Sequence, residues 1–251
     1  MISTSVQTRE VGIACFIGRT QPELRTHHPH PSCAPVPIYS RQPTMKFMPD
    51  LILASASPRR RELLERLGLA LRIEPVDVDE TPATGEKARA YAQRLAAEKG
   101  DAALARVGQQ AATVPILTAD TVVVLGDDIL GKPANQDEAA AMLRRLAGRN
   151  HEVMTAYRAH FAGRMVERVV STGVTFRSLD PAELRAYLDS GEWQGKAGAY
   201  AIQGIAGAFA KEVRGSFSNV VGLPLAEVIA DLRALEALPG YPPPAFGGNA
   251  R

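Results

Sequence analysis

The chain has 251 residues, of which 45% are hydrophobic and 22% are charged, and these values exclude disorder over the whole length. Residues 1–48 hold five basic and two acidic groups, so the rest of the chain carries 24 basic and 25 acidic residues. A surface that binds duplex nucleic acid needs a marked excess of Lys and Arg, so we expect no nucleic-acid partner.

The first 48 residues differ from the remainder of the chain. They contain six of the 18 prolines and show no sustained helical or strand periodicity, so we predict a poorly ordered N-terminal extension over 1–48. A His-rich stretch at 27–33 offers imidazole and thiolate donors for a zinc site. The prolines between these donors, and the lack of a second half of any zinc-finger spacing, count against that interpretation.

The sequence does not favour export or membrane insertion. Both cysteines, Cys15 and Cys33, lie in the extension, so the body has no thiol, as fits a reducing cytosol. The early apolar run from Val11 to Ile17 is shorter than the ~20 residues of a membrane-spanning helix, and no clean small-residue cleavage site follows it. We therefore expect a cytoplasmic protein with no membrane contact.

Apolar strands and amphipathic helices alternate through the body of the chain, which predicts an α/β protein with a mixed sheet. We expect one domain at 49–240 and a Pro/Gly-rich C-terminal tail at 241–251. The predicted elements, in chain order, are a strand at 51–54, a helix that begins at Ser57-Pro58 and includes 62–67, a helix at 86–107, a strand at 116–125, a turn at 126–128 into a short strand at 129–130, a helix at 135–147, strands near 151–161 and 166–176, a helix at 181–189, a Gly-rich stretch at 195–207 and a helix at 225–236.

The start of the first helix is unusual in its charge. Ser57 is a typical N-cap and Pro58 a typical first-turn residue, but three arginines, 59–61, follow where the helix dipole favours Asp or Glu. Backbone N–H groups and guanidinium forks at such a terminus suit a phosphate chain. An exposed arginine face on an ordinary helix is the alternative.

Charged side chains stand out at three further places. Asp120 interrupts an apolar strand, where a buried carboxylate needs a hydrogen-bonding partner, a metal or a catalytic role. Lys132 lies in a Gly-Lys-Pro turn that constrains its backbone. Asp77 and Asp79 precede Glu80, and alternation in an extended chain predicts that Glu80 points away from the other two.

The Gly-rich stretch at 195–207 uses small residues, which allow a ligand or another backbone to approach closely. It matches neither the dinucleotide fingerprint nor the P-loop pattern. On its own, it predicts only a tight packing site.

Six segments together resemble the Maf family of nucleoside triphosphate pyrophosphatases, in order and over about residues 50–235. This resemblance implies a two-lobed mixed β-sheet flanked by helices, similar to the inosine triphosphatase fold, with a central cleft. It also implies a nucleotide substrate, a divalent cation (Mg²⁺, Mn²⁺ or Co²⁺) and a homodimer. The segments are 53–60, 79–80, 119–121 with 131–133, 196–204 and 218–225.

The resemblance also suggests roles for individual residues. Asp120 would act as the general base or metal-assisted activator of water, with Glu80 sharing the cation. Phosphate oxygens would be held by Ser57, Arg60, Lys99 and Lys132. The base would be read by Arg59, Thr121 and Gln203, a set that resembles the dTTP/UTP pyrophosphatase branch.

Two chemical arguments agree with this assignment. The amide of Gln203 offers both an acceptor and donors to the N3–H and O4 edge of uracil or thymine. Adjacent helical positions diverge by about 100°, so Arg59 and Arg60 can serve different ends of a nucleotide. Gly100 stands where the family often has alanine, and we expect this difference to matter little.

Two alternatives remain at the level of sequence. The first is an enzyme of the same type that acts on 7-methyl-GTP or on a purine nucleoside triphosphate. The second is a non-catalytic nucleotide-binding regulator of septum formation, which would have no need of the two carboxylates and two placed lysines together.

Overall fold

The computed structural model describes residues 51–239 together with 241 and 242. The predicted N-terminal extension at 1–48 and residues 243–251 of the predicted tail lie outside the described residues. Among the described residues, no helix has the length and hydropathy needed to cross a membrane.

A seven-stranded mixed sheet forms the centre of the fold, which confirms the predicted α/β class. Its strand order is β2-β1-β3-β5-β6-β7, and β4 pairs with β3. The strand β1 pairs in parallel with β2 and β3, whereas all other pairs are antiparallel. The strands are β1 (Leu51–Leu53), β2 (Leu71–Ile73), β3 (Ile116–Leu125), β4 (Asp128–Leu130), β5 (Asn150–Phe161), β6 (Arg164–Phe176) and β7 (Ala210–Arg214).

Within residues 51–239, six α-helices accompany the sheet, and the long ones begin and end close to their predicted bounds. Three short elements, β2, β7 and α5, were not predicted, because charged residues interrupt the few apolar positions of β2 and β7, and the five residues of α5 are too few to show a helical period. The helices are α1 (Pro58–Glu65), α2 (Ala88–Val107), α3 (Gln136–Leu146), α4 (Pro181–Asp189), α5 (Phe217–Val221) and α6 (Leu225–Ala234), with 3₁₀ turns at Gly108–Ala112, Ala197–Ala199 and Ile205–Phe209.

The two faces of the sheet pack against different helices. On β3, Val122 packs with α2, whereas Ala119 and Val123, which alternation directs to the other face, belong to two separate apolar clusters. Ala119 packs with α1 and α6, and Val123 packs with α3 and α4. Between these clusters lie Thr121 and its cross-strand neighbour Thr155. A polar strip therefore divides this face of the sheet into two apolar halves.

The structure offers an explanation for glycine at position 100 that the sequence did not reveal. A Cβ atom at this position of α2 would lie 2.6 Å from Cδ of Arg158. The Arg158 side chain is largely buried and donates to Asp101 at 2.5 Å and to Glu167 at 2.6 Å, so it is held across the helix. An alanine at 100 would therefore require the Arg158 side chain to shift, and the expectation that glycine at this position matters little stays a prediction.

Candidate active site

All nine residues that the sequence singled out line one pocket of about 390 Å³. The pocket lies where the β1–α1 loop, the middle of β3 and the segments 195–203 and 220–222 come together. Segments far apart in the chain thus bring cationic, acidic and amide side chains to one place. The nine residues are Ser57, Arg59, Arg60, Glu80, Lys99, Asp120, Thr121, Lys132 and Gln203.

One side of the pocket is the N-terminus of α1, which forms as predicted. Ser57 is the N-cap, and its side chain accepts from the backbone N–H of Arg60 at 3.5 Å. Pro58 occupies the first turn, and no acidic residue lies there. The positive end of the helix dipole and the arginines are therefore left without a neutralising carboxylate in that turn, an arrangement that favours a bound anion.

The two arginines that line the pocket have different surroundings. Arg60 is buried, and its guanidinium donates to the Gly222 carbonyl at 2.8 Å, to Ser55 Oγ at 2.9 Å and to Thr121 Oγ1 at 2.9 Å. A guanidinium has five N–H groups, so two remain after these three bonds. Arg59 is less buried and donates through Nε to the Val221 carbonyl at 3.3 Å. Burial lowers the pKa of both side chains, and in Arg60 the charge of Asp120 acts against that effect.

Two lysines and two carboxylates form a charged chain along the pocket. Lys99 Nζ donates to Asp120 Oδ1 at 2.7 Å and to Glu80 Oε1 at 2.8 Å. Lys132 Nζ donates to the other oxygen of Glu80 at 2.9 Å. Partial burial raises the pKa of Glu80, but the hydrogen bonds from the two lysines outweigh it and bring that pKa down to about 2. Glu80 is therefore ionised at neutral pH.

Strand alternation accounts for the position of Asp120. Thr118 and Asp120 both face α2, where Thr118 Oγ1 donates to the Ala96 carbonyl at 3.0 Å and Asp120 meets Lys99. Asp120 is buried and paired, and it also lines the pocket. The strand fixes this carboxylate and the helix fixes its lysine partner.

The acidic segment before α2 departs from the predicted alternation. Asp77 and Glu80 both line the pocket, whereas Asp79 accepts from the backbone N–H of Thr81 at 2.9 Å. This segment belongs to no strand, so its side chains do not follow a period of two. The prediction that Glu80 points away from Asp77 is therefore wrong.

The donor chemistry of the pocket suits a divalent cation that takes part of its coordination from a substrate. Glu80 and Asp120 supply carboxylate oxygens, the ligand type that Mg²⁺ prefers, and Mg²⁺ is often held by one or two carboxylates plus phosphates and water. Within residues 51–239, no group of three or more His, Cys, Asp or Glu side chains is close enough to form a complete protein cage. The two carboxylates fit a cation whose other ligands are phosphate oxygens and water.

The loop that carries Gln203 is held by a residue that the sequence analysis missed. Glu192 accepts from the backbone N–H groups of Ile205 at 2.9 Å and of Ala206 at 3.3 Å. A Cβ atom at position 204 would lie 2.5 Å from Cδ of Glu192, so only glycine allows the carboxylate to reach these N–H groups. Gln203 is exposed at the pocket, directly before this glycine.

Lys196 and Tyr200 also line the pocket, and the sequence analysis treated their segment as packing. Burial lowers the pKa of Lys196, and the nearby charge of Arg59 lowers it further. Tyr200 is buried and shares a 2.9 Å hydrogen bond with Nε2 of His151. A lysine between two Gly-containing turns was the available signal for the first residue, while no local pattern indicated the second.

The fold and the pocket define an α/β protein with a cationic, carboxylate-containing site suited to a polyphosphate. Residues 50–235 match the family described as Maf-like protein. The chain belongs to the Maf family, as the resemblance predicted.

Curated relatives cover most of the chain and nearly all of their own length. A protein named dTTP/UTP pyrophosphatase from Anaeromyxobacter dehalogenans strain 2CP-1 is 51% identical over 200 residues, which are 78% of this chain and 97% of that protein. A protein of the same name from Cereibacter sphaeroides is 52% identical over 76% of this chain and 97% of that protein. Another, from Myxococcus xanthus strain DK1622, is 52% identical over 72% of this chain and 89% of that protein.

A solved structure of a nucleoside-triphosphatase, or dITP/XTP pyrophosphatase, from Mycobacterium abscessus is 16% identical to this chain. It aligns with a TM-score of 0.31 over 57% of this chain and 95% of that one. A similarity this low supports no conclusion about function.

Proposed function

We propose that this protein hydrolyses dTTP and UTP to the nucleoside monophosphate and pyrophosphate. The observation that carries the proposal is the Lys99–Asp120 pair, 2.7 Å apart, in a pocket that also holds Arg59, Thr121 and Gln203. The first two residues suit hydrolysis of a phosphoanhydride, and the last three resemble the base-reading set of the dTTP/UTP branch. Curated relatives about 50% identical to this chain carry the same activity in their names.

In this mechanism, Asp120 accepts a proton from the water that attacks the α-phosphorus. The bond between that phosphorus and the bridging oxygen breaks, and pyrophosphate leaves with the electron pair. Lys99 holds the Asp120 carboxylate in place through their 2.7 Å hydrogen bond. Ser57, Arg60 and Lys132 would contact phosphate oxygens, where fixed positive charge stabilises the transition state.

Glu80 and Asp120 would hold the divalent cation, Mg²⁺, Mn²⁺ or Co²⁺, which neutralises phosphate charge when it is bound. Glu80 suits this role because its low pKa keeps it anionic across the physiological range. Lys132 is exposed and can turn from Glu80 to a phosphate oxygen when this carboxylate engages the cation, since its ammonium sits on a flexible four-carbon chain.

A nucleotide panel tests the proposal. Pyrophosphate release is measured with dTTP, UTP, CTP, ATP, GTP and 7-methyl-GTP, each with Mg²⁺, Mn²⁺ or Co²⁺. We expect dTTP and UTP to give the highest kcat/KM. A preference for 7-methyl-GTP or a purine nucleotide would establish the alternative branch, and binding of nucleotides without release of pyrophosphate would support the regulator.

Three further expectations belong to this proposal: a homodimer, which the resemblance implies, a cytoplasmic location, which the cysteine usage favours, and an extension at 1–48 that is dispensable because it carries none of the matched motifs. Light scattering on the purified chain tests the first, and cell fractionation tests the second. A chain that begins at Met48 keeps every segment of the family resemblance, so it should fold and hydrolyse UTP as the full chain does. Loss of folding in that shortened chain would contradict the domain boundary.

A further inference from the structure

Three hydrogen-bonding contacts within the protein surround the hydroxyl of Thr121 on the pocket wall. Its Oγ1 lies 2.9 Å from Nη2 of Arg60, 2.9 Å from Oγ1 of Thr155 and 3.4 Å from the carbonyl oxygen of Gly222. Thr155 lies directly opposite Thr121 on the neighbouring antiparallel strand and is completely buried. The hydrogen bonds of Thr155 therefore affect whether the Thr121 hydroxyl can donate to a ligand or only accept from it.

The direction of each hydrogen bond follows from counting protons. A hydroxyl has one hydrogen and two lone pairs, and a guanidinium can only donate, so Thr121 accepts from Arg60. Thr155 Oγ1 lies 3.1 Å from the carbonyl oxygen of Asn219 and donates its hydrogen to it. The 2.9 Å contact between the two threonines is then a hydrogen bond only if Thr121 donates to Thr155.

The opposite arrangement is less favourable. If Thr155 donated to Thr121, the hydrogen of Thr121 would have only the Gly222 carbonyl, which is 3.4 Å away and already accepts from Arg60 Nε at 2.8 Å. The 3.1 Å bond from Thr155 to Asn219 would also be lost. The first arrangement uses the shorter contacts, and it is the one in which a short hydrogen bond inside the protein holds the hydrogen of Thr121 away from the ligand.

In the favoured arrangement, Thr121 presents one unshared lone pair to the pocket and no hydrogen, so it acts only as an acceptor. Uracil and thymine carry a donor at N3, whereas cytosine carries a lone pair there. The side-chain amide of Gln203 cannot separate these bases alone, because a 180° rotation exchanges its oxygen and its NH₂ group. A second group of fixed polarity is needed.

We propose that Thr155 is a positioning residue that makes Thr121 an obligate acceptor toward N3 of the base, and that this polarity excludes cytosine. The inference rests on the proposed function for the pyrimidine substrate. It assigns the discrimination between uracil and cytosine to a buried hydroxyl that does not touch the substrate. A binding site rejects a ligand of nearly the same shape when that ligand leaves a polar group of the site without a hydrogen-bonding partner.

The test is Thr155→Val, which keeps the shape of the side chain and removes the hydroxyl. The hydrogen of Thr121 then loses its 2.9 Å acceptor and becomes available to N3 of cytosine. We expect the ratio of kcat/KM for UTP over CTP to fall at least ~10-fold, the scale of one hydrogen bond in recognition. Thr155→Ser restores a hydroxyl and should restore the wild-type ratio.

A matched control is Thr118→Val on β3, the strand that carries Thr121. Thr118 is also buried and donates to a backbone carbonyl, that of Ala96 at 3.0 Å, but it does not line the pocket. Its loss should affect UTP and CTP equally. An unchanged ratio in Thr155→Val, or an equal fall in Thr118→Val, would overturn the inference.

Binding separates this inference from the proposed function. The dissociation constants of α,β-methylene UTP and α,β-methylene CTP are measured with Mg²⁺ by calorimetry, since neither analogue can be cleaved between the α and β phosphates. A wild-type protein that prefers the uridine analogue but releases no pyrophosphate from UTP would refute the hydrolase and leave the role of Thr155 intact. Equal binding of both analogues by the wild type would refute the role of Thr155 even if UTP is hydrolysed.

Discussion

Asp120 and Thr121 are neighbours on β3, but their side chains meet opposite layers of the protein. Asp120 contacts Lys99 of α2, and Thr121 contacts Arg60 of α1. Successive residues of a strand point to opposite faces, so one dipeptide supplies both a carboxylate and a hydroxyl to the same pocket from two directions. This arrangement provides separate places for the reacting phosphate and for the base, which is the division that the proposed function requires.

Replacing Asp120 with Asn tests the general base. The amide keeps the size of the side chain but cannot take a proton from water, so we expect kcat for UTP to fall at least ~100-fold. Pyrophosphate release measures the loss, and calorimetric binding of α,β-methylene UTP shows that the nucleotide still binds. Asp101→Asn, which removes an exposed carboxylate on α2 outside the pocket, should retain activity. Near wild-type turnover in Asp120→Asn would refute the assignment.

The pKa of Glu80, lowered to about 2 by Lys99 and Lys132 against the effect of burial, predicts a pH dependence of stability. A carboxylate whose pKa is lower in the folded state stabilises that state above its unfolded pKa of about 4.3, and the contribution disappears as pH falls toward 2. Urea unfolding of the wild type and Glu80→Gln from pH 7 down to pH 2.5 measures it. At neutral pH, the free energy of unfolding should be larger for the wild type than for Glu80→Gln. The gap between the two free energies should narrow below about pH 4.3. A constant difference would mean that the lysines do not stabilise the anion.

Gln203→Ala tests base recognition separately from chemistry. Gln203 is exposed, so its truncation should leave the unfolding temperature unchanged. We expect a loss of ~1–3 kcal/mol in transition-state binding for UTP and dTTP, calculated from kcat/KM, and a smaller loss for poor substrates. Gln194→Ala removes a second exposed glutamine that does not line the pocket and serves as the control. Equal losses for every nucleotide would make Gln203 a structural residue of the loop.

Gly204→Ala tests whether Glu192 positions the loop that carries Gln203. The new Cβ atom would press on the Glu192 carboxylate and weaken its bonds to the N–H groups of Ile205 and Ala206. We expect a stability loss of ~1–3 kcal/mol, the scale of the two hydrogen bonds that the displaced carboxylate would give up, together with a higher KM for UTP. In the double variant with Glu192→Ala, the clash disappears, so its stability loss should be smaller than the sum of the two single losses. Strictly additive losses would show that the two positions are independent.

The sequence by itself determined those features that depend on neighbours along the chain. Ser57 caps α1, β3 covers 116–125 and α4 covers 181–189, because a cap or a complete hydrophobic period needs only local residues. The sequence also indicated that Asp120 requires a partner, since a charge within an apolar strand is costly. It could not name Lys99 as that partner from the pattern of residues alone.

Only the tertiary structure decided how these local features combine. Arg60 donates to the carbonyl of Gly222, which lies 162 positions away along the chain. The hydroxyls of Thr155 and Thr121 lie 2.9 Å apart on the paired strands β5 and β3. Glu192 supports the Gln203 loop through backbone N–H groups, which every residue except proline carries. Such contacts leave no periodic trace in the sequence, because they depend on which strands pair and in what register, and those pairings join residues that are distant along the chain.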